Sequence, residues 1–505
     1  MAGITSQKQN LRGTEILRSI PAVEWLNQQR SILFLSGLAI FNGLVYAFGF
    51  IPMANLLKLY QLPHLTLYTL PQGGTRGLGQ MILAFLALGL AYWQGWRLAR
   101  NIQGKTAWAI MLGSSLVSGF LLLFLYPFDA ADVFDNMMRG RMLGVYGANP
   151  FLQTPAQFAR DPIFKYVAWK GWTSAYGPGW EVLAGWVARL AGSGVVANIL
   201  AFKMLPGAFL LAIVGLVALT LRKTAPKSAL ANTLLLAWNP VVLYETWGNG
   251  HNDMAMVFWI LAAVLALLHH RHTLAILALV VGGLFKFIPI LLIPPALVLA
   301  WRDLRFSRWR AGFLAITMIL SILLVVLAYS PFWEGTRVLN VKGRTRLYTT
   351  SLPSMIYYTL LDQRWSKAKA AATVSRTALG LIGLFVFRKS QKLWKKPDLE
   401  EYLEANAQIL LFYLLVACLW FQNWYTLWPA GLASLLKPGP TRRLSLLLGF
   451  AALVKPLGIG PLLFWPRPRL AEPWLEIWLS LGVLGLPWIY WSLSAWRHRR
   501  EYVSL

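Results

Sequence analysis

Acidic residues are scarce in this chain. It holds 19 aspartates and glutamates against 47 lysines and arginines in 505 residues, a formal net charge of +28. In a soluble protein that imbalance would point to nucleic acid. Charged residues of both signs, however, make up only 13% of the chain, against about 25% in soluble domains, which excludes an ordinary soluble fold. Cysteine is nearly absent: Cys418 stands alone in an apolar run, so there is no intrachain disulfide framework, and the residue reads as a small buried core side chain. GxGxxG, Walker A and Ser-His-Asp spacings are also missing, so a soluble nucleotide donor has no evident cradle. Internal repeats, low-complexity segments and a soluble domain are absent as well.

What is present is long apolar sequence. The chain is 57% hydrophobic with a mean hydropathy of +0.53. About 20 apolar residues cross the hydrocarbon core as a helix. Candidate spans are 31–51, 78–96, 106–126, 197–221, 229–247, 254–268, 273–285, 288–301, 311–333, 370–387, 405–421, 424–436, 444–463 and 474–496. The expected fold is an all-α, polytopic transmembrane bundle of about 12–14 spans, with short helices in its outer loops. The 273–301 pair is broken at "KFIPILLIPP" and reads as a bent hairpin, because proline removes a backbone donor. The 179–192 segment is too short to span and is expected to be re-entrant or interfacial.

The basic residues explain the charge. Segment 1–30 is expected to be a cytoplasmic N-terminus carrying Lys8, Arg12, Arg18 and Arg30, with no cleaved signal peptide. Residues 31–505 then form one integral membrane domain. With the N-terminus inside, the blocks at 97–105, 222–227, 269–272, 302–310, 388–396, 441–443 and 497–500 all fall inside, as cytoplasmic loops require. The even count puts both termini in the cytoplasm. The positive charge therefore reads as topology and contact with anionic lipid, with no role for nucleic acid.

The same alternation places the unusual polar features outside. Three of the chain's eight aspartates, Asp129, Asp132 and Asp135, open the first large outer loop, about 127–178. On a helix Asp129 and Asp132 share a face, and Asp135 is placed to pair with Arg139 at i+4. They suit a solvated helix start, but a carboxylate at a membrane boundary is costly without a purpose, and one facing outward suits a general base for a hydroxyl nucleophile. "SAYGPGW" (174–180) is a Gly/Pro turn with aromatics, including Tyr176, fit to line a sugar or lipid site. In "GNGHND" (248–253), His251 lies between Asn249 and Asp253 and has the chemistry to meet a phosphate oxygen, a sugar hydroxyl or a metal. Asn252 or Asp253 also suits the N-cap of the next helix. No second His or Cys lies at zinc-ligand spacing. The second outer loop, about 334–369, breaks the charge rule with Arg337, Lys342, Arg344 and Arg346. Basic residues there suit an anion, arginine through its two-pronged donor, or lipid headgroups. Lys286, at the hairpin break, either snorkels or points at the same anion.

Together these motifs resemble the GT-C glycosyltransferases, polytopic enzymes that take sugars from polyprenyl-phosphate donors. The resemblance is greatest to the bacterial polyprenyl-phosphomannose-dependent α-mannosyltransferases. It rests on "DVFDNMMRGRMLGVYGANPF", on "YGP" at 176–178, on "NP" and "GNGHND" within 239–253, on "KFIP" at 286–289 and on "QNWYTLWP" at 422–429. It covers about 106–436 and aligns Asp132 with the family's outer-loop acid, Gly140-Arg141 with its Gly-Arg, and Gly147, Asn149, Pro150 and Phe151 with the end of its motif. Asn136 stands where the family usually has a second aromatic.

The resemblance implies a membrane hexosyltransferase, with mannose the expected sugar. Its partners would be a polyprenyl-phosphate-linked sugar, a glycan or glycolipid acceptor, and membrane lipids. Transfer would be an inverting single displacement on the extracytoplasmic side of a bacterial cytoplasmic membrane. Asp132 would be the base, with Asp129 as second candidate. Arg337, Lys342, Arg344, Arg346, Lys286 and His251 would hold the donor phosphate. Arg141, Asn149, Tyr176, Asn249, Asp253, Trp424 and Tyr425 would contact substrate. A divalent metal is an open option, with Asp129, Asp132 and Asp253 as ligands. The alternative is a transporter or flippase of lipid-linked sugars, which would more often show an internal repeat and charges at mid-membrane.

Overall fold

The computed structural model describes residues 21–128, 131–304, 306–339, 347–459 and 470–503. Where an apolar run is long, it forms one helix, because a backbone in lipid must satisfy its own hydrogen bonds. Among the described residues seven helices are long and apolar enough to cross a membrane. They lie in α1 (Pro21–Val45), α2 (Gly74–Ala99), α3 (Lys105–Leu123), α6 (Val195–Thr224), α11 (Ser307–Tyr329), α13 (Lys367–Lys395) and α17 (Trp474–Val503). On α11, Met318, Ile319, Ile322 and Leu327 are all more than half exposed. An apolar face of that length belongs against acyl chains rather than water.

The remaining apolar runs form shorter helices, broken where the sequence carries proline or a polar turn. The 229–247 run becomes α7 (Ala229–Ala237), a single turn Pro240–Leu243 and a π-turn Tyr244–Gly248. Asn239 makes the break, its Oδ1 accepting from the amides of Val241 (3.0 Å) and Val242 (3.2 Å). α8 (Asp253–Leu268) and α9 (His272–Phe285) are apolar but shorter than a full span. The expected hairpin follows. α9 stops at Lys286, which is extended, a 3-10 turn covers Ile288–Leu292, and α10 (Ile293–Asp303) returns. α12 (Leu352–Asp362), α14 (Leu399–Phe412), α15 (Leu427–Ala433) and α16 (Pro440–Ala452) complete the bundle. One hydrophobic core runs from Leu35 to Leu484.

Two helices come from the first outer loop and its exit. α4 (Asp132–Gly144) begins at the aspartates, and α5 (Pro178–Ala191) is the segment too short to span. At 14 residues, α5 reaches about 21 Å, less than the ~30 Å of hydrocarbon. It docks on α4 through glycines: a Cβ on Gly140 would lie 2.5 Å from the Ala184 carbonyl oxygen, and one on Gly144 would lie 2.0 Å from that of Gly185. The Gly of the Gly-Arg pair therefore lets two helix backbones touch.

Candidate active site

α4 presents its acids at its N-terminus, where the helix dipole favours negative charge. Their roles divide by direction. Asp135 is buried and accepts from the backbone amides of Trp169 (3.0 Å) and Ala168 (3.3 Å), with Arg139 Nη1 at 3.8 Å. It fastens the outer loop to the helix. Asp132 is partly exposed, to a cavity of about 610 Å³. The Tyr176 hydroxyl lies 3.5 Å from its Oδ2. Burial raises the Asp132 carboxyl from its usual value to about 6; Asp135 and Asp253 add to the rise, while Lys286 and Arg139 oppose it.

Lys286 also lines this cavity. The break after α9 places it, and its Nζ donates to Asp253 Oδ1 at 2.7 Å. The ammonium sits among three rings, 4.9 Å from the centroid of Tyr425, 5.6 Å from Trp428 and 5.7 Å from Tyr176. Asp253 is fixed from behind by Trp428 Nε1 at 2.5 Å. Its Oδ2 is buried with no hydrogen-bond partner among the described residues. His251 stacks on Trp424 with ring centroids 3.8 Å apart. Burial and the Lys286 charge hold its pKa well below the usual histidine value, so the ring is neutral. Among the described residues both ring nitrogens are buried without a hydrogen-bond partner, Glu245 Oε2 lying 3.7 Å from Nδ1.

Of the residues expected from sequence, Asp132, Tyr176, Lys286, Trp424 and Tyr425 thus share one cavity, with Asp253 and His251 directly behind its wall. Three others lie in the framework. Arg141 pairs with Asp161 at 2.8 Å and donates to the Gly192 carbonyl at 2.5 Å, both ion-pair partners being buried. Asn149 Nδ2 donates to the Phe332 carbonyl (2.8 Å), which ties the first outer loop to the second. Asn249 is buried, its Nδ2 on Glu245 at 3.0 Å. These three do not line the cavity; the hydrogen bonds named here tie them to the protein framework. Arg337 is exposed on a 3-10 turn and does not line the cavity. Asp129, Lys342, Arg344 and Arg346 lie outside the described residues.

The wall also contains aromatic residues that sequence reasoning did not single out. Trp169, Trp172, Trp420 and Trp428 all line it, with Trp169 centred 5.8 Å from Trp172 and 6.2 Å from Trp420. Their one available signal was position: "AWKGW" lies in the acid loop and "LWFQNWYTLW" at an outer turn. The result is a wide aromatic cleft with a carboxylate and an ammonium among its few charges. It suits a sugar ring, whose C–H faces stack on indoles and whose hydroxyls meet the carboxylates. It also suits an anion beside Lys286.

Comparison with known proteins agrees with that chemistry. Residues 39–303 match the family model described as alpha-(1->6)-mannopyranosyltransferase, N-terminal domain. Over 244 residues the chain is 27% identical to alpha-(1->6)-mannopyranosyltransferase A of Mycobacterium tuberculosis, covering 47% of this chain and 43% of that protein. The chain therefore matches less than half the length of this relative. No solved structure matches. Because the family's model takes in more than half of its residues, Asp132 and Lys286 among them, the chain belongs to the alpha-(1->6)-mannopyranosyltransferase family.

Proposed function

We propose that the protein is a membrane α-mannosyltransferase that moves mannose from a polyprenyl-phosphate donor to a glycan or glycolipid acceptor on the extracytoplasmic side. One observation carries the reading: Asp132, a desolvated carboxylate, opens onto the same aromatic cleft as Lys286, a caged ammonium. Asp132 takes the proton of an acceptor hydroxyl as its oxygen attacks the anomeric carbon. The bond from that carbon to the phosphate oxygen breaks in the same displacement, and the configuration inverts. The electron pair leaves with the lipid phosphate. Lys286 spends one of its three N–H donors on Asp253 and has the others for that phosphate. Beyond the described residues, Lys342, Arg344 and Arg346 are further donors for it. The tryptophans stack on the sugars, and the polyprenyl tail lies among the apolar helices.

A carboxylate near pKa 6 is suited to this task. It is mostly ionised at neutral pH and is a stronger base than an ordinary aspartate. The donor class is tested with purified protein in lipid, offered mannose either on polyprenyl phosphate or on a nucleotide. Transfer from the lipid-linked sugar alone is expected. Transfer from the nucleotide sugar alone would refute the donor assignment.

A further inference from the structure

We propose that His270, His272 and Asp303 form a zinc-binding site at the end of the α9–α10 hairpin remote from the cleft. Their ligand atoms lie within 4.8 Å of one another, and no other described group of three His, Cys, Asp or Glu residues is so placed. His270 Nδ1 stands 2.6 Å and His272 Nε2 2.9 Å from the same oxygen, Asp303 Oδ2. In a tetrahedral site with bonds of about 2.0–2.1 Å, ligand atoms are about 3.3 Å apart. The cluster needs to open by roughly half an ångström to admit the ion. The His270 side chain is 74% exposed and can make that movement.

The chain takes an unfavourable conformation to place these groups. α8 ends with the Arg271 amide on the Ala266 carbonyl (2.8 Å) and the His270 amide on that of Leu267 (3.0 Å). That end puts His270 at φ 55°, in the left-handed region where glycine is usual. From that position its side chain reaches Asp303 across the hairpin. His272, on the first turn of α9, is nearly buried and approaches from the other side.

The donor set selects the cation. Two imidazoles and one carboxylate suit zinc, whereas magnesium and calcium prefer an all-oxygen shell. Two neighbouring cations are engaged elsewhere. The Arg302 guanidinium lies over Trp394 at 5.2 Å, and Arg310 Nε donates to the carbonyls of Trp301 (3.2 Å) and Leu304 (3.0 Å). The exposed side leaves a fourth position for water. Bound zinc would join the start of α9 to the end of α10. Lys286 lies at the bend of this hairpin, about 20 Å away along α9, so the ion would brace the element that carries the cleft's ammonium.

The test uses full-length protein in nanodiscs, free of any histidine tag and stripped with a chelator. Zinc is titrated against a chromophoric competitor, and cobalt is added separately as a spectroscopic probe. The native protein is expected to bind one zinc and to give the intense visible bands of tetrahedral cobalt. Asp303→Asn and His270→Ala should each weaken zinc by about tenfold or more, while His269→Ala, one position away, leaves it unchanged. His270 is exposed, so His270→Ala should fold. Absence of a stoichiometric zinc, or native zinc affinity in Asp303→Asn and His270→Ala, would overturn the site and leave a hydrogen-bonded His–Asp–His cap.

Discussion

With Asp132 as the proposed base, sugar transfer should fall about tenfold for each pH unit below 6, because burial raises its carboxyl to about that value. The ionised fraction is about nine-tenths at pH 7, one-half at pH 6 and one-tenth at pH 5. The direction follows from the surroundings. Burial favours the neutral acid, and the charges of Asp135 and Asp253 push the same way. Lys286 and Arg139 resist, so the group remains mostly ionised at neutral pH. The assay is kcat/KM for lipid-linked mannose between pH 4.5 and 8.5, which reports groups of the free enzyme. The proposed donor is a phosphodiester, which does not titrate in this range, so an acid limb belongs to the protein. Lys286→Met removes a cation that favours ionisation and should move the limb to higher pH, beyond any loss of rate. A limb near pH 4, the ordinary carboxylate range, would refute the reasoning, as would a limb that stays in place in Lys286→Met.

Three further outcomes follow from the geometry. Gly144→Val should unseat α4 from α5, because even its Cβ would meet the Gly185 carbonyl oxygen at 2.0 Å; overpacking costs about 1–3 kcal/mol or more. The thermal midpoint should drop and transfer should be lost, whereas Gly113→Ala, with nothing within 4 Å, should change neither. Trp420→Ala or Trp169→Ala should raise the acceptor KM about tenfold, the scale of one lost aromatic stack, with a smaller effect on donor KM. Arg141→Met should destabilise by roughly 3 kcal/mol, because it leaves buried Asp161 without its ion-pair partner, with only Tyr146 and the Ile163 amide donating to it. If Arg141→Met instead kept its thermal midpoint and lost substrate affinity, the framework role would be wrong.

Much of the fold was legible because lipid simplifies the code. Apolar length gave the helices, and "KFIP" at 286 gave the hairpin break, whereas the break capped by Asn239 falls inside the expected 229–247 span and was missed. The bent hairpin at Lys286 followed from its prolines. The cleft was legible where polar residues are rare. Asp132, Lys286, His251 and Asp253 stood out against an acid-poor, apolar chain. The tryptophans were not legible, because 25 of them are spread through the sequence and an indole suits a lipid interface as well as a sugar site. Arg141 illustrates the opposite limit. A motif position suggests function, but its guanidinium was claimed by Asp161, 20 residues away along a loop with no periodic signal. The same limit applies to Asn149, whose partner Phe332 is far along the chain.

The central claim rests on one carboxylate. Asp132→Asn keeps the side chain's size and its place at the start of α4 but cannot accept a proton at neutral pH. Single-turnover transfer from polyprenyl-phosphate mannose, with the protein saturated by donor and acceptor, isolates the chemical step. The account predicts a loss of about 10²–10⁴-fold at pH 7, with donor affinity within a few-fold of the native value. A variant that transfers mannose at the native rate would contradict it.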